Sequence, residues 1–349
     1  MTSGNPRQRR RTFDESDVRV RPSRSVPRRS KDRPDYKDLP LGFVTQVDRG
    51  RSLCLIDDGT TVTAMKAREL GKNAVVVGDI VKLDGDVSGV EGSLARIVEV
   101  NERRNSLSRT IDDAGAMERA IVSNVDLMLI VVAISNPEPR TGFIDRALVV
   151  AFDQGITPIL VITKCDLADA SSLADLYSPL SVEVFTTKKG EDPHSLRDRL
   201  QGKTSVLIGH SGVGKSTLLN SILGHQARIT GDVNEVTGRG RHTSSNAVAF
   251  KLDGNPGAAD VPGAANQERS GWLIDTPGVR SFGLRHIDPD RVVGAFAELS
   301  EVIARCPKNC SHNEESCALN EWLKVNPQGE HRVANLRRLL AIDATVSYE

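Results

Sequence analysis

The run GHSGVGKS at residues 209–216 places Gly209, Gly214, Lys215 and Ser216 in the pattern G-x-x-x-x-G-K-[ST]. SVLI (205–208) before it is a short apolar run suited to a buried strand, and STLLNSIL (216–223) after it has helical apolar spacing. Strand, glycine-rich loop and helix together predict a phosphate cradle. Backbone N–H groups at 212–216 can close around phosphate oxygens, and the helix directs its positive N-terminal dipole at the same anion. In such a loop Lys215 reaches the β- and γ-phosphates and the Ser216 hydroxyl ligates Mg²⁺, with His210, Ser211, Gly212, Val213 and Thr217 completing the lining.

Two further motifs surround this cradle. DTPG (275–278) follows the apolar run GWLI (271–274), so Asp275 is expected at the carboxyl end of a strand, where open α/β sheets bind ligands. From there it can hold Mg²⁺ through water, while the Gly278 N–H contacts a γ-phosphate. TKCD (163–166) ends the hydrophobic run ITPILVI (156–162). The Asp166 carboxylate is an acceptor only, which suits the N–H donors on guanine's pairing edge and disfavours adenine. Lys164 can lie over the ring plane. The first position of this motif is usually Asn; Thr163 here is expected to brace its surroundings less strongly. VEVFTTKKG (182–190), with Thr186 and Thr187 at a strand end, is the candidate for a further base-contacting element. The base-reading motif precedes the phosphate loop, the reverse of a conventional small GTPase, so the G domain reads as circularly permuted.

TKCD, GHSGVGKSTLLN, GRGRHTSS (238–245) and DTPGVRSFGL (275–284), followed by a cysteine cluster, resemble the RsgA (YjeQ) family of circularly permuted GTPases over about residues 40–340. The resemblance implies a multidomain chain: an all-β OB-fold barrel at 39–105 that binds RNA, an α/β permuted P-loop GTPase domain at 106–285, and a small, mainly helical zinc-binding domain at 286–349. It implies GTP hydrolysis stimulated by the small (30S) ribosomal subunit, in whose late maturation the family acts, with 16S rRNA as partner and release on hydrolysis. The position after the DTPG glycine is Val279, whose side chain cannot orient water. The resemblance points instead to His242 as the catalytic group beside Lys215, and to Thr243 as the switch threonine on Mg²⁺, with Ser244 close enough to compete. A role for His242 on RNA phosphate, alongside Arg239 and Arg241, stands as the alternative.

CPKNCSHNEESC contains Cys306, Cys310, His312 and Cys317, three of the chain's five cysteines within twelve residues. Three thiolates and an imidazole make a closed structural zinc set. Its spacings from Cys306 to Cys310 and from His312 to Cys317 are each one residue shorter than the family's usual spacing. Cys54 and Cys165 are isolated and read as small packing residues.

The remaining chain fits around these sites. Residues 1–38 carry twelve Arg or Lys against six Asp or Glu and lack an apolar run, which predicts a disordered basic arm suited to phosphate backbones or simply solvated. LGFVTQV, SLCLIDDG, TTVTAM, AVVVGDIVKL and ARIVEV, between 41 and 100, predict a small barrel; Phe43 is its only aromatic residue, so base stacking is not expected to dominate RNA contact. NERRNSLSR (101–109) reads as a basic connector, VDLMLIVVAI (125–134) as a strand of a buried parallel sheet, and FIDRALVVAFDQG (143–155) as an amphipathic helix. KLDGNPGAADVPGAANQERS (251–270) reads as a flexible hairpin tip, and the C-terminal helix offers His331, Arg332, Arg337 and Arg338 to RNA or solvent. VRSFGL (279–284) runs into the zinc domain and is expected to swing it when the γ-phosphate leaves. No apolar segment suits a signal peptide or a membrane span, which predicts a cytoplasmic protein, and a monomer is expected. Two functional classes remain: a ribosome-stimulated GTPase, or a GTP-gated rRNA-docking module in which hydrolysis is incidental.

Overall fold

Alternating burial builds the N-terminal unit. β1 (Leu41–Asp48), β2 (Arg51–Ile56), β3 (Thr61–Lys66), β4 (Ile80–Gly85) and β5 (Ala95–Val100) turn Val44, Cys54, Val62, Ala64, Val81, Leu83 and Ile97 into a shared core. The strand order β1-β2-β3-β5-β4 closes through a β1–β4 pairing, giving an OB-like five-stranded barrel. The computed structural model that contains it describes residues 36–71, 75–110, 118–180, 182–224, 247–252, 270–276, 288–294 and 296–344. The basic arm to residue 35, the loop with Arg239, Arg241, His242, Thr243 and Ser244, the insert from 253 to 269, and Gly278, Val279 and the rest of VRSFGL lie outside the described residues.

The run AVVVGDIVKL is not one strand. Val76 and Val77 precede a turn at Gly78 (φ +94°), and only from Ile80 does the chain join the barrel. A Cβ at position 78 would lie 2.1 Å from the Ser123 carbonyl oxygen, so both space and conformation demand glycine. Beside it, fully buried Asp79 accepts from the Val76 N–H, from Arg103 Nε at 2.7 Å and Nη2 at 2.8 Å, and from the Ser123 hydroxyl at 2.7 Å. Arg104 donates to Asp126 Oδ1 and to the Asn124 carbonyl. Arg109 of the connector stays exposed, whereas Arg103 and the half-exposed Arg104 are held in ion pairs. These two pairs clamp the barrel to the hairpin of β6 (Ser106–Thr110) and β7 (Glu118–Ser123) and to the sheet beyond.

That sheet forms because its strands are apolar on both faces. β8 (Leu127–Ala133) is buried at every position. It is parallel to β9 (Thr157–Thr163) and β11 (Thr204–Ile208); β10 (Glu183–Thr186) and β13 (Trp272–Asp275) extend the order to β10-β9-β8-β11-β13, and antiparallel β12 (Val248–Lys251) follows β13. Helices α1 (Thr141–Asp153), α2 (Ser171–Tyr177), α3 (His194–Leu200) and α4 (Lys215–Leu223) connect the strands. The barrel joins at β12, where Gln46 of β1 pairs with Val248, and Phe43 packs on Trp272 with ring centroids 4.8 Å apart. The barrel's single aromatic side chain is thus buried against the sheet and unavailable for base stacking.

α5 (Pro289–Gly294), α6 (Ala297–Ile303), α7 (Ala318–Val325) and α8 (Glu330–Ala344) make the C-terminal unit. Its Val292, Phe296, Leu299, Val333, Leu336 and Leu339 belong to the same apolar core as Ile144, Leu148 and Val149 of α1. α1 is therefore buried well beyond one face, rather than amphipathic; Asp145 and Asp153 are buried on it too. Asp145 receives Arg338 of α8 at 2.9 Å and the Tyr177 hydroxyl at 3.0 Å. Asp153 accepts the Asp288 N–H, and its carbonyl accepts from Arg291. Burial holds the Asp145 carboxyl above the usual range despite the opposing pull of Arg338.

This packing corrects one expectation. The α8 cations turn inward: Arg332 pairs with Glu298 and lies 5.1 Å over the Phe296 ring, Arg337 serves the cysteine cluster, and Arg338 serves Asp145, leaving exposed His331 on the outer face. A free swing of the C-terminal unit is opposed by the continuous core and buried ion pair, so the unit is expected to move together with α1. No helix among the described residues is long and apolar enough to cross a membrane.

Two stability outcomes follow from these junctions. Gly78→Ala is expected to cost at least ~2 kcal/mol in urea unfolding, because a methyl group meets a carbonyl in a strained conformation. Arg338→Met is expected to cost about 3 kcal/mol near neutral pH by stranding a buried carboxylate. Because Asp145 is held above the ordinary carboxyl range, it neutralises early on acidification, and the Arg338→Met penalty should shrink as pH falls.

Candidate functional site

Parallel pairing brings the carboxyl ends of β9, β10, β11 and β13 to one edge of the sheet. The registers Leu207↔Asp275 and Ile162↔Thr186 put the cradle beside Asp275, and TKCD beside Thr186. The cradle opens at Gly209, φ +156°, where a Cβ would come within 2.4 Å of the Val131 carbonyl oxygen. Gly212 and Gly214 also take positive φ, and α4 starts at Lys215. Ser211, Ser216 and Thr217 lie exposed at the mouth, while Val213 is buried beneath. His210 packs its ring on Phe143 of α1 at 4.5 Å between centroids.

Lys215 and Asp275 share the floor, where each charge acts on the other. Lys215 Nζ donates to the Gly209 carbonyl at 3.1 Å. Burial lowers its affinity for the proton, and the Asp275 charge works against that shift. Burial raises the Asp275 carboxyl, with Lys215 opposing. Asp275 Oδ1 is buried without a hydrogen-bond partner among the described residues. An orphaned carboxylate oxygen in a phosphate cradle is the donor that a hydrated divalent cation requires, so the residues fit Mg²⁺.

TKCD connects directly to the cradle. The Thr163 hydroxyl donates at 2.5 Å to the carbonyl of Val213, within the phosphate loop, with the Val132 carbonyl at 3.2 Å as a weaker second acceptor. Threonine therefore supplies the brace expected of asparagine. Lys164, at φ +59°, donates through Nζ to the Asn136 carbonyl, and Asp166 is exposed at the rim. The Thr187 N–H donates to the Ile162 carbonyl and the Cys165 N–H to the Thr187 carbonyl, which fixes the end of β10 against TKCD. Asn136, Phe143 and the Val213 carbonyl went unpredicted, because no local signal marks a residue that acts through a chain-distant partner. His242, Thr243 and Gly278 lie outside the described residues.

The cysteine cluster is a separate site. Ligand atoms of Cys306, Cys310, His312 and Cys317 lie within 4.8 Å of one another. Cys306 Sγ is 3.7 Å from Cys317 Sγ and 3.8 Å from His312 Nδ1. Zn–S bonds of about 2.3 Å set tetrahedral sulfur–sulfur edges of about 3.8 Å, so the group can hold a metal ion. Left-handed backbone at Asn309 (φ +62°) and His312 (φ +63°) bends the ligand loop. Arg337 of α8 donates to the His312 carbonyl at 2.6 Å and to Asn320 Oδ1 at 2.7 Å, while Asn320 holds the Glu314 carbonyl. A second shell of this kind orients ligands.

Comparison with known proteins agrees with this arrangement. The model of the RsgA GTPase family matches residues 100–285. The small ribosomal subunit biogenesis GTPase RsgA of Pseudomonas aeruginosa is 34% identical over 278 residues, 77% of this chain and 76% of that protein. Its namesake in Pseudomonas fluorescens is 32% identical over 285 residues, 79% of this chain and 77% of that protein. Among solved structures, YjeQ from Thermotoga maritima superposes with a TM-score of 0.62 at 25% identity, over 88% of this chain and 99% of that one. YloQ, a circularly permuted GTPase, shares the fold with a TM-score of 0.60 at 20% identity, over 89% and 97%. This chain belongs to the RsgA GTPase family.

Thr163→Val is expected to weaken GDP binding roughly tenfold, since losing a buried hydrogen bond to the loop is worth about 1–1.5 kcal/mol. Thr163→Ser should restore most of the affinity in the same titration. Chelation with a strong metal-binding agent should lower the thermal midpoint of the C-terminal unit, as followed by Trp322 fluorescence in a Trp272→Phe background.

Proposed function

We propose that this member of the RsgA GTPase family binds GTP across the TKCD and GHSGVGKS loops, hydrolyses it to GDP and phosphate, and acts in late maturation of the small ribosomal subunit. The observation that carries this reading is the Thr163–Val213 hydrogen bond, which makes the base-reading and phosphate loops one continuous cleft. The subunit assignment follows the relatives named small ribosomal subunit biogenesis GTPase.

In this reading Asp166 accepts the guanine N–H donors, and the Lys164 stem covers the ring. Backbone N–H groups at 212–216, the α4 dipole and Lys215 neutralise the phosphates. Ser216 and Thr243 would hold Mg²⁺, with Asp275 reaching it through water, and the ion would supply charge neutralisation for phosphoryl transfer. Gly278 senses the γ-phosphate, and His242 orients the attacking water where Val279 offers nothing. Cys306, Cys310, His312 and Cys317 hold one structural zinc ion. We assign residues 39–105 to rRNA binding through backbone and shape, 106–285 to the GTPase domain and 286–349 to the zinc domain. The basic arm adds affinity for 16S rRNA, and the protein acts in the cytoplasm as a monomer.

Purified protein with small ribosomal subunits is expected to hydrolyse GTP many-fold faster than alone, with no ATP hydrolysis above background, and Lys215→Ala should abolish the stimulation. Tight GTP-dependent subunit binding without stimulation would instead favour the docking module. Acidification gives an independent check. Burial raises the Asp275 carboxyl, so Mg²⁺-dependent GTP binding should weaken at a higher pH than an ordinary aspartate would allow. The residual binding of Asp275→Asn should lack that acidic limb.

A further inference from the structure

A line of contacts leads from the phosphate loop to the cysteine cluster without passing through the DTPG segment. His210 of the cradle packs on Phe143 at 4.5 Å. Phe143 shares the first turns of α1 with Asp145, which holds Arg338 of α8 at 2.9 Å. The neighbouring Arg337 donates at 2.6 Å to the carbonyl of His312, one of the metal-ligand residues. Each contact is at least partly buried. Phe143 is 7% exposed, and the Asp145 side chain 6%. The surrounding core residues of α1 and α8 belong to a single cluster, so the helix cannot shift at one end without disturbing the other.

We propose that α1 is a strut through which the C-terminal unit positions the phosphate loop, with Phe143 and Arg338 as positioning residues for nucleotide binding. The inference rests on the reading that GHSGVGKS binds GTP. Phe143 supports the outer wall of the cradle at His210. Arg338 holds α1 at the depth and rotation that present Phe143 there. Loss of either contact lets the loop relax from the conformation that fits phosphate. A nucleotide that fixes the loop must, by reciprocity, favour the docked C-terminal unit and the metal set that Arg337 orders.

The test uses the full chain loaded with zinc, GDP as the probe, and titration calorimetry. Phe143→Ala and Arg338→Met are each expected to weaken GDP about fivefold, and the double variant by about the same factor rather than the product near 25-fold, because the two act through one element. Val62→Ala is the control: Val62 is buried in the barrel core, a cluster separate from the one that holds α1 and α8, so the change should lower the melting temperature while leaving GDP affinity unchanged. Should Arg338→Met fail to fold, Arg338→Lys with Phe143→Leu replaces it in the cycle. The reciprocal readout is the rate at which a chelator extracts zinc: GDP should slow it in the parent chain and no longer do so in Phe143→Ala. Multiplicative losses, an unchanged GDP affinity in both single variants, or equal weakening by Val62→Ala would overturn the proposal. A parent chain that binds no GDP would overturn the function reading itself.

Discussion

One hydroxyl holds the nucleotide cleft together. Thr163 stands at the end of β9 and Val213 in the loop after β11, with β8 between them, and the 2.5 Å bond from the hydroxyl to the carbonyl spans that middle strand. The cradle's glycines give it its shape but no stiffness, since each is chosen for a backbone conformation with few competing restraints. Stiffness comes from Thr163 on one side and from Lys215 on the Gly209 carbonyl on the other. The resulting cleft is preorganised for an anion and purine together, which limits the ordering cost of binding.

The electrostatics of the floor follow from burial. Lys215 and Asp275 each lose hydration, and each partly compensates the other's loss. Lys215 donates to the Gly209 carbonyl, but Asp275 keeps an oxygen without a partner among the described residues. A site that keeps charge ready for a ligand bears a cost in the free protein, the pattern seen where polar groups are positioned for function rather than stability.

Much of this was legible in the sequence, for a physical reason. Strands buried on both faces announce themselves as continuous apolar runs, as in VDLMLIVVAI, and glycines at 209, 212 and 214 mark the cradle because no other residue fits such backbone. The barrel's alternation was equally readable, except at AVVVGDIVKL, where a run of β-branched residues hid the turn forced at Gly78 by the Ser123 carbonyl. The charges misled more than the apolar residues. Arg337 and Arg338 look like a surface for RNA or solvent when read along the chain, yet each finds a partner at least 25 residues away that turns it inward. Composition records how many cations a segment holds. It does not record which of them a distant carboxylate or carbonyl has already claimed, and α1 was misjudged as amphipathic for the same reason: its outer covering comes from residues almost 200 positions later, such as Arg338 on Asp145, a separation of 193.

The order β8-β11-β13 also has a mechanical side. The barrel and hairpin feed into the start of β8, and the C-terminal unit departs after the end of β13, so permutation attaches its two appended units to the strands on either side of the phosphate-loop strand. Tension between those units loads the hydrogen bonds flanking β11 along the strand direction, in shear, where many bonds must yield together. A protein tethered at both ends to a large, shifting particle would thus carry that load through the strongest part of its sheet, with the nucleotide loop at the centre of the loaded region.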